Sequence, residues 1–173
     1  MPFTPYHFGP GLFVKGLAAR WFSWLTFIIV QVAIDCETLY YIVRHEFPIH
    51  RALHTFVGAT LTGATVAVLL LGGRRLVSLL APNLGDRFLS KWPSVSSEFS
   101  RTGILTAGII GGVSHPLLDA LMHPDVRPFM PWTSANPVLN AVDIGTLHSG
   151  CIVTGVLGIA LVGIWLCRDG RTG

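Results

Sequence analysis

Four stretches of this chain contain no Asp, Glu, Lys or Arg: residues 21–34, 55–73, 102–118 and 144–167. The first resumes beyond Asp35 and Glu37 with the apolar run 38–43. A helix needs about 20 mainly apolar residues to cross the hydrocarbon core of a bilayer, and each block approaches that length. None offers the charged stripe that a helix on a soluble surface requires. Charged residues make up 12% of the 173, against about a quarter in a soluble domain, and a lipid-facing surface accounts for the deficit. The sequence therefore predicts a single all-α, polytopic membrane domain over residues 1–173, with spans at 21–43, 52–73, 102–122 and 145–167. Gly, Ala and Thr in the last three blocks suit close helix packing in lipid.

Basic residues set the expected orientation. The connection 74–101 holds Arg74, Arg75, Arg87, Lys91 and Arg101, and the terminal segments hold Lys15, Arg20, Arg168 and Arg171. The other two connections are poorer, with Arg44 and Arg51 in one and Arg127 in the other. This asymmetry predicts 74–101 in the cytoplasm, running along the membrane surface. It also accounts for the net charge of +3, and no interleaving of basic and aromatic residues points to nucleic acid. No small-x-small cleavage pattern follows Ile34, so the first block is expected to stay in the protein. Cys36, Cys151 and Cys167 share no CxxC spacing and read as small packing residues.

Ionisable groups inside a spanning segment are costly unless paired, so they mark function. Asp35 and Glu37 lie toward the outer end of the first block, and His50 and His54 open the second. His115, Asp119 and His123 close the third, His148 lies in the first turn of the fourth, and His7 sits in the N-terminal segment. Under the predicted topology all but His7 meet at the outer membrane face. His50 and His54 are four apart, as are His115, Asp119 and His123, which on a helix places each set on one side, about 5–6 Å apart at Cβ. Two helices presenting such pairs is how metal sites in bundles are built. Imidazole and carboxylate without thiolate suit one or two divalent ions, zinc first, with manganese or iron as alternatives. A plain alternative, hydrogen bonding between helices, applies most to His123 and His148. Glu37, two residues from Asp35, is expected on another helix face. Pro116 directly after His115 predicts a kink or break at 114–115, eased by Gly111 and Gly112.

The order of these motifs resembles the YdjM-like inner-membrane proteins, described as membrane-bound metal-dependent hydrolases. The matching pieces are Thr4-Pro5-Tyr6-His7, Ile34-Asp35-Cys36-Glu37, His50-Arg51-Ala52-Leu53-His54, Ser114-His115-Pro116-Leu117-Leu118-Asp119 and Asp125-Val126-Arg127-Pro128-Phe129-Met130-Pro131-Trp132. Glu37 stands where that family usually has Asp, Leu53 where it has Thr, and its proline before the first acid is absent. The resemblance implies a bacterial inner membrane. It also implies that His7 heads a helix pairing as a hairpin with the first block. Residues 7–20 would then descend from the outer face as a short re-entrant or interfacial element, since roughly 14 residues reach only about 20 Å. Lys15 and Arg20 would snorkel from its lower end.

Together these readings predict a membrane-embedded, metal-dependent hydrolase of a lipid-like or lipid-linked ester or phosphoester, with its site on the extracytoplasmic side. His7, Asp35, His50, His54, His115 and Asp119 would hold the metal, with His123 and His148 as further candidates, and water activated by the metal would be the nucleophile. Asp119 and Glu37 are candidate general bases. Arg51 and Arg127 are candidates for binding an anionic headgroup, with Phe129 and Trp132 as interfacial anchors beside them. The competing class is a non-catalytic metal-binding scaffold, sensor or transport component, which predicts ligands at several depths. A di-iron oxygenase predicts further paired HxxxH boxes, and only His50 and His54 fit.

Overall fold

Each long helix opens on a side chain that caps its free N–H groups. The computed structural model describes residues 5–80 and 93–169, all of whose regular structure is helical. A 3-10 turn, Pro5–His7, leads into α1 (Phe8–Leu17), followed by α2 (Trp24–Val43), a second 3-10 turn Ala52–His54, and α3 (Phe56–Leu80). Then come α4 (Pro93–Glu98), α5 (Arg101–Met122) and α6 (Ile144–Asp169). Ser23 Oγ accepts from Thr26 N at 3.1 Å before α2, and Thr55 Oγ1 from Gly58 N at 2.9 Å before α3. Ser100 Oγ accepts from Gly103 N at 2.9 Å before α5, and Asp143 Oδ2 from Thr146 N at 2.9 Å before α6. Such caps satisfy donors that have no partner within the helix.

Helices α2, α3, α5 and α6 are long and apolar enough to cross a membrane. Their 20 to 26 residues correspond to about 30–39 Å at 1.5 Å per residue. Leu61, Val68 and Leu69 of α3 and Ile152, Val153, Val156 and Ile159 of α6 are each more than half exposed. An apolar exterior of this extent marks contact with lipid. The ends of these helices differ from the expected bounds. The third helix starts at Phe56, beyond His54, and continues to Leu80, so Arg74 and Arg75 lie on it. The expected surface run 74–101 is therefore the end of α3, α4 and residues 81–92; the last, with Arg87 and Lys91, lie outside the described residues.

Helix α5 is the inner one, packing on both α2 and α3, while α6 packs chiefly along α1. Small residues permit both approaches. A Cβ on Gly63 of α3 would lie 2.1 Å from the Gly108 carbonyl oxygen of α5, and one on Gly112 would lie 2.6 Å from that of Ala59. Across α1 and α6, a Cβ on Gly9 would lie 2.0 Å from the Cys151 carbonyl oxygen. Val30, Ile34, Ala59 and Val66 fill the space between α2 and α3, and Phe22, Phe27 and Ala107 fill that between α2 and α5.

Three expectations are corrected. The short α1 touches α2, with Gly11 against the Phe27 ring, but it packs chiefly along α6 rather than pairing with α2 as its main partner. Lys15 does not snorkel. It is buried, its Nζ donating to the carbonyls of Ala19 and Phe22 at 2.8 and 3.0 Å and to Ser97 Oγ at 3.2 Å. It also pairs with the Glu98 carboxylate of α4, so acceptors within the fold replace water. Pro116 lies inside an unbroken α5. A proline removes one helix hydrogen bond, and packing on two neighbours keeps the rest: Gly111 lies against Val30 of α2, and Gly112 against α3. Of the cysteines, only Cys151 is buried.

These contacts predict contrasting glycine variants. Gly63→Val should lower stability in detergent by at least about 1–3 kcal/mol, as overpacking does. Gly72→Ala, whose Cβ would meet nothing within 4 Å, should change little or gain up to about 1 kcal/mol from helix propensity. Thermal unfolding of the purified variants measures both.

Candidate metal centre

The ends of the helices that point one way bring ionisable side chains from distant parts of the chain together. Asp35 and Glu37 come from the last turns of α2, and His115 and Asp119 from the last turns of α5. His54 closes the 3-10 turn before α3, and His7 closes the one before α1. His7, Asp35, His50, His54, His115 and Asp119 are all buried. They form overlapping groups that could hold a metal ion, each with ligand atoms within 4.8 Å of one another: His7–His115–Asp119, Asp35–His54–His115 and His50–His54–Asp119.

Acceptors on Nδ1 orient three of the histidines. Gln31 of α2 donates its amide to the Gly111 carbonyl at 3.2 Å, which turns its Oε1 toward His115 Nδ1, 2.6 Å away. His54 Nδ1 donates to Glu37 Oε2 at 3.1 Å, and His50 Nδ1 donates to Asp125 at 2.9 Å. An acceptor at Nδ1 requires the proton there and leaves Nε2 as a bare lone pair, as outer partners do for metal-bound histidines. His115 Nε2 is a buried atom with no hydrogen-bond partner. It faces Asp119 Oδ2 at 3.2 Å and Asp35 Oδ1 at 3.6 Å. His54 Nε2 lies 3.4 Å from the same Asp119 oxygen and 4.0 Å from the same Asp35 oxygen, with the Thr38 hydroxyl 3.2 Å away. Lone pairs facing carboxylates are repulsive unless a cation lies between them. A tetrahedral ion with bonds of about 2.0–2.1 Å separates its ligand atoms by about 3.4 Å. Separations of 3.2, 3.4 and 3.6 Å lie near that value and the fourth, 4.0 Å, is longer, so the donors approach the spacing such an ion needs.

The remaining expected residues fall into place around this set. His50 and His54 do not share a helix, because α3 begins only at Phe56. They converge through the loop and the 3-10 turn, with ring centroids 4.7 Å apart. Glu37 faces the cluster, contrary to expectation, yet it is not placed as a general base: Oε2 accepts from the backbone N–H groups of Arg51 and Leu53 at 3.1 and 3.0 Å as well as from His54. It positions His54 and the turn that carries it. His123, just beyond α5, has Nε2 3.9 Å from Asp119 Oδ1 and stacks on His50 at 4.6 Å. Burial, partly offset by the Asp119 carboxylate, lowers its pKa below the usual imidazole value. His148 joins none of the groups; it stacks on Tyr6 at 4.0 Å.

Arg51 is turned away from the centre. Its Nε donates to the Pro48 carbonyl at 2.8 Å, its Nη2 to Glu46 at 3.1 Å, and its guanidinium lies over the Tyr41 ring at 3.6 Å. Arg127 is exposed. Both line a cavity of about 650 Å³ with Phe47, Val57, Met130 and the ligand candidate His50.

Sequence reasoning missed Gln31, Thr38 and Asp125 as site residues. Gln31 was open to detection as the only amide side chain in the first apolar block. Asp125 binds His50 and accepts from Ile49 N and His50 N at 3.2 Å each. Burial works against its ionised form, but these bonds outweigh it and hold the carboxyl below its usual pKa. No protein-family model, curated protein or solved structure matches the chain.

The role given to Glu37 is measurable. Glu37→Gln should weaken metal affinity by about 10–100-fold, the usual effect of losing an outer partner, with the ion content at saturating metal unchanged. Competition against a chelator of known affinity reads the first, and elemental analysis the second.

Proposed function

We propose that this chain is a metal-dependent hydrolase embedded in a bacterial inner membrane and acting on a lipid-like or lipid-linked phosphoester or ester. The observation that carries the reading is the bare, buried Nε2 of His115 facing two carboxylates across gaps the size of a tetrahedral coordination edge. Asp35, His54, His115 and Asp119 would hold a divalent ion, and nitrogen and oxygen donors without sulfur suit zinc first, then manganese or iron. A divalent ion in that position supplies Lewis acidity and a lowered pKa for water. The chain's own residues supply the rest. Gln31 and Glu37 fix the ring orientations of His115 and His54, and the buried walls limit access of water. Arg127, at the rim of the cavity that reaches His50, offers a cation to an anionic headgroup.

The motif order shared with the YdjM-like proteins supports the same class. The charge distribution supports an extracytoplasmic site: Arg20 and Arg168 line one cavity, and Arg74, Arg75 and Arg101 another, near the helix ends remote from the cluster, and such basic ends face the cytoplasm. A second reading, a non-catalytic metal-binding scaffold or sensor, is favoured by one observation, the complete burial of the His54 and His115 side chains.

Metal analysis of the purified protein tests the common ground. Wild type should carry stoichiometric metal, and Asp119→Ala and His54→Ala should lose it. Turnover of a panel of phospholipids and lipid esters separates the readings. The hydrolase predicts activity that falls by more than about 100-fold in both variants, whereas the scaffold predicts metal without variant-sensitive turnover.

A further inference from the structure

A single tetrahedral ion takes four ligands, and Asp35, His54, His115 and Asp119 already supply them. His7, His50 and His123 remain, and each stands at the same carboxylate group. Asp119 presents its two oxygens to different nitrogens. Oδ2 faces His54 and His115 at 3.4 and 3.2 Å, whereas Oδ1 faces His7 Nε2 at 3.0 Å and His123 Nε2 at 3.9 Å. His50 stacks on His123 and offers a ligand atom within 4.8 Å of those of His54 and Asp119. Its Nδ1 is held by Asp125 as that of His54 is held by Glu37. Two outer carboxylates thus aim two histidines at the two sides of one central carboxylate.

We infer that the centre is binuclear: Asp119 bridges two divalent ions, an inner one held with Asp35, His54 and His115, and an outer one held with His7, His50 and His123. The inference rests on the metal reading proposed above and adds a division of labour to it. The inner position is sealed, since the side chains of His54 and His115 have no exposed surface. The outer position is open, because the His123 side chain is 27% exposed and His50 lines the cavity that also holds Arg127. Substrate therefore meets the outer ion. Paired ions about 3.5–4 Å apart stabilise the attacking and leaving oxygens of a displacement at phosphorus. With Arg127 beside them, this favours a phosphoester over a carboxylic ester as the substrate class. The apolar wall of Phe47, Val57 and Met130 would accommodate its lipid portion.

The test uses the full chain in detergent, stripped with a chelator and reloaded with Mn(II). Ions per chain are counted by elemental analysis, and magnetic coupling between them is read by electron paramagnetic resonance. Two ions per wild-type chain with an exchange-coupled signal are expected, and coupling needs no variant to be seen. His123→Ala, at a partly exposed position beyond the end of α5, should reduce the count to one and restore the signal of an isolated ion. One uncoupled ion in wild type overturns the binuclear inference and leaves the mononuclear reading standing. No bound ion overturns both. Two coupled ions retained in His123→Ala and in His7→Ala overturn the outer ligand set.

Discussion

A carboxylate buried at the tip of the innermost helix is the constraint on which this structure turns. Asp119 lies between His7, His54, His115 and His123, and a charge buried in a helical bundle is tolerable only beside groups that donate to it or hold a cation against it. The segments that supply those groups are the 3-10 turns before α1 and α3, α5 itself and the residue that follows it. Its position thus dictates how the ends of the bundle are closed. The loop after α2 folds inward to deliver His50 and His54. The loop after α5 folds over it, with Asp125 gripping Ile49 and His50 and the Pro128 carbonyl accepting from Phe56 N at 2.9 Å. Two connections that would otherwise lie apart on the membrane surface become one lid over the polar cluster.

The helical ladder beneath supplies the rigidity that such a cluster needs. Close contact between α3 and α5 at Gly63 and Gly108 and between α5 and α2 at Gly111 leaves little freedom for α5 to rotate. His115 and Asp119 lie one turn apart on α5, so their relative direction follows from that packing. Gln31 extends the same logic, since a single amide on α2 reads the Gly111 backbone and the His115 ring together. Helix packing and ring orientation are thereby coupled. A shift of α2 along α5 would break both hydrogen bonds at once.

Much of this was legible in the sequence because absence of charge over a span's length has few interpretations, and alternating spans force chain-distant histidines onto one face. What was not legible depended on backbone geometry. The four-residue spacing of His50 and His54 is informative only on a helix, yet those residues precede α3. Glu37, two positions from Asp35, reads as a residue of another helix face and a candidate general base, not as a group that orients His54. The backbone N–H groups that engage it belong to a loop whose path no periodicity reports. Lys15 was ambiguous for a different reason: a lysine near the end of an apolar element reads the same whether its ammonium reaches water or a buried partner. Only the placement of Glu98 under α1 decides it. His148 satisfied the topological criterion and still lies outside the cluster, stacked on Tyr6, because the first turn of α6 is held off by the segment that brings in His7.

The short α1 has a role that its composition conceals. Three glycines and a proline in ten residues make a poor helix by propensity, each glycine costing about 1 kcal/mol relative to alanine. Pro10 is tolerated because the first turn has no N–H partners to lose. Gly9 supports the close approach to α6, where a Cβ would strike the Cys151 carbonyl. The element is then pinned at both ends by buried polar groups, His7 to Asp119 above and Lys15 to Glu98 below. Loss of the lower pair would not remove any ligand, but it would free the element that holds His7 at its depth. The geometry of the centre thus depends on an ion pair near the opposite end of α1, one that a ligand-based reading of the motifs would pass over.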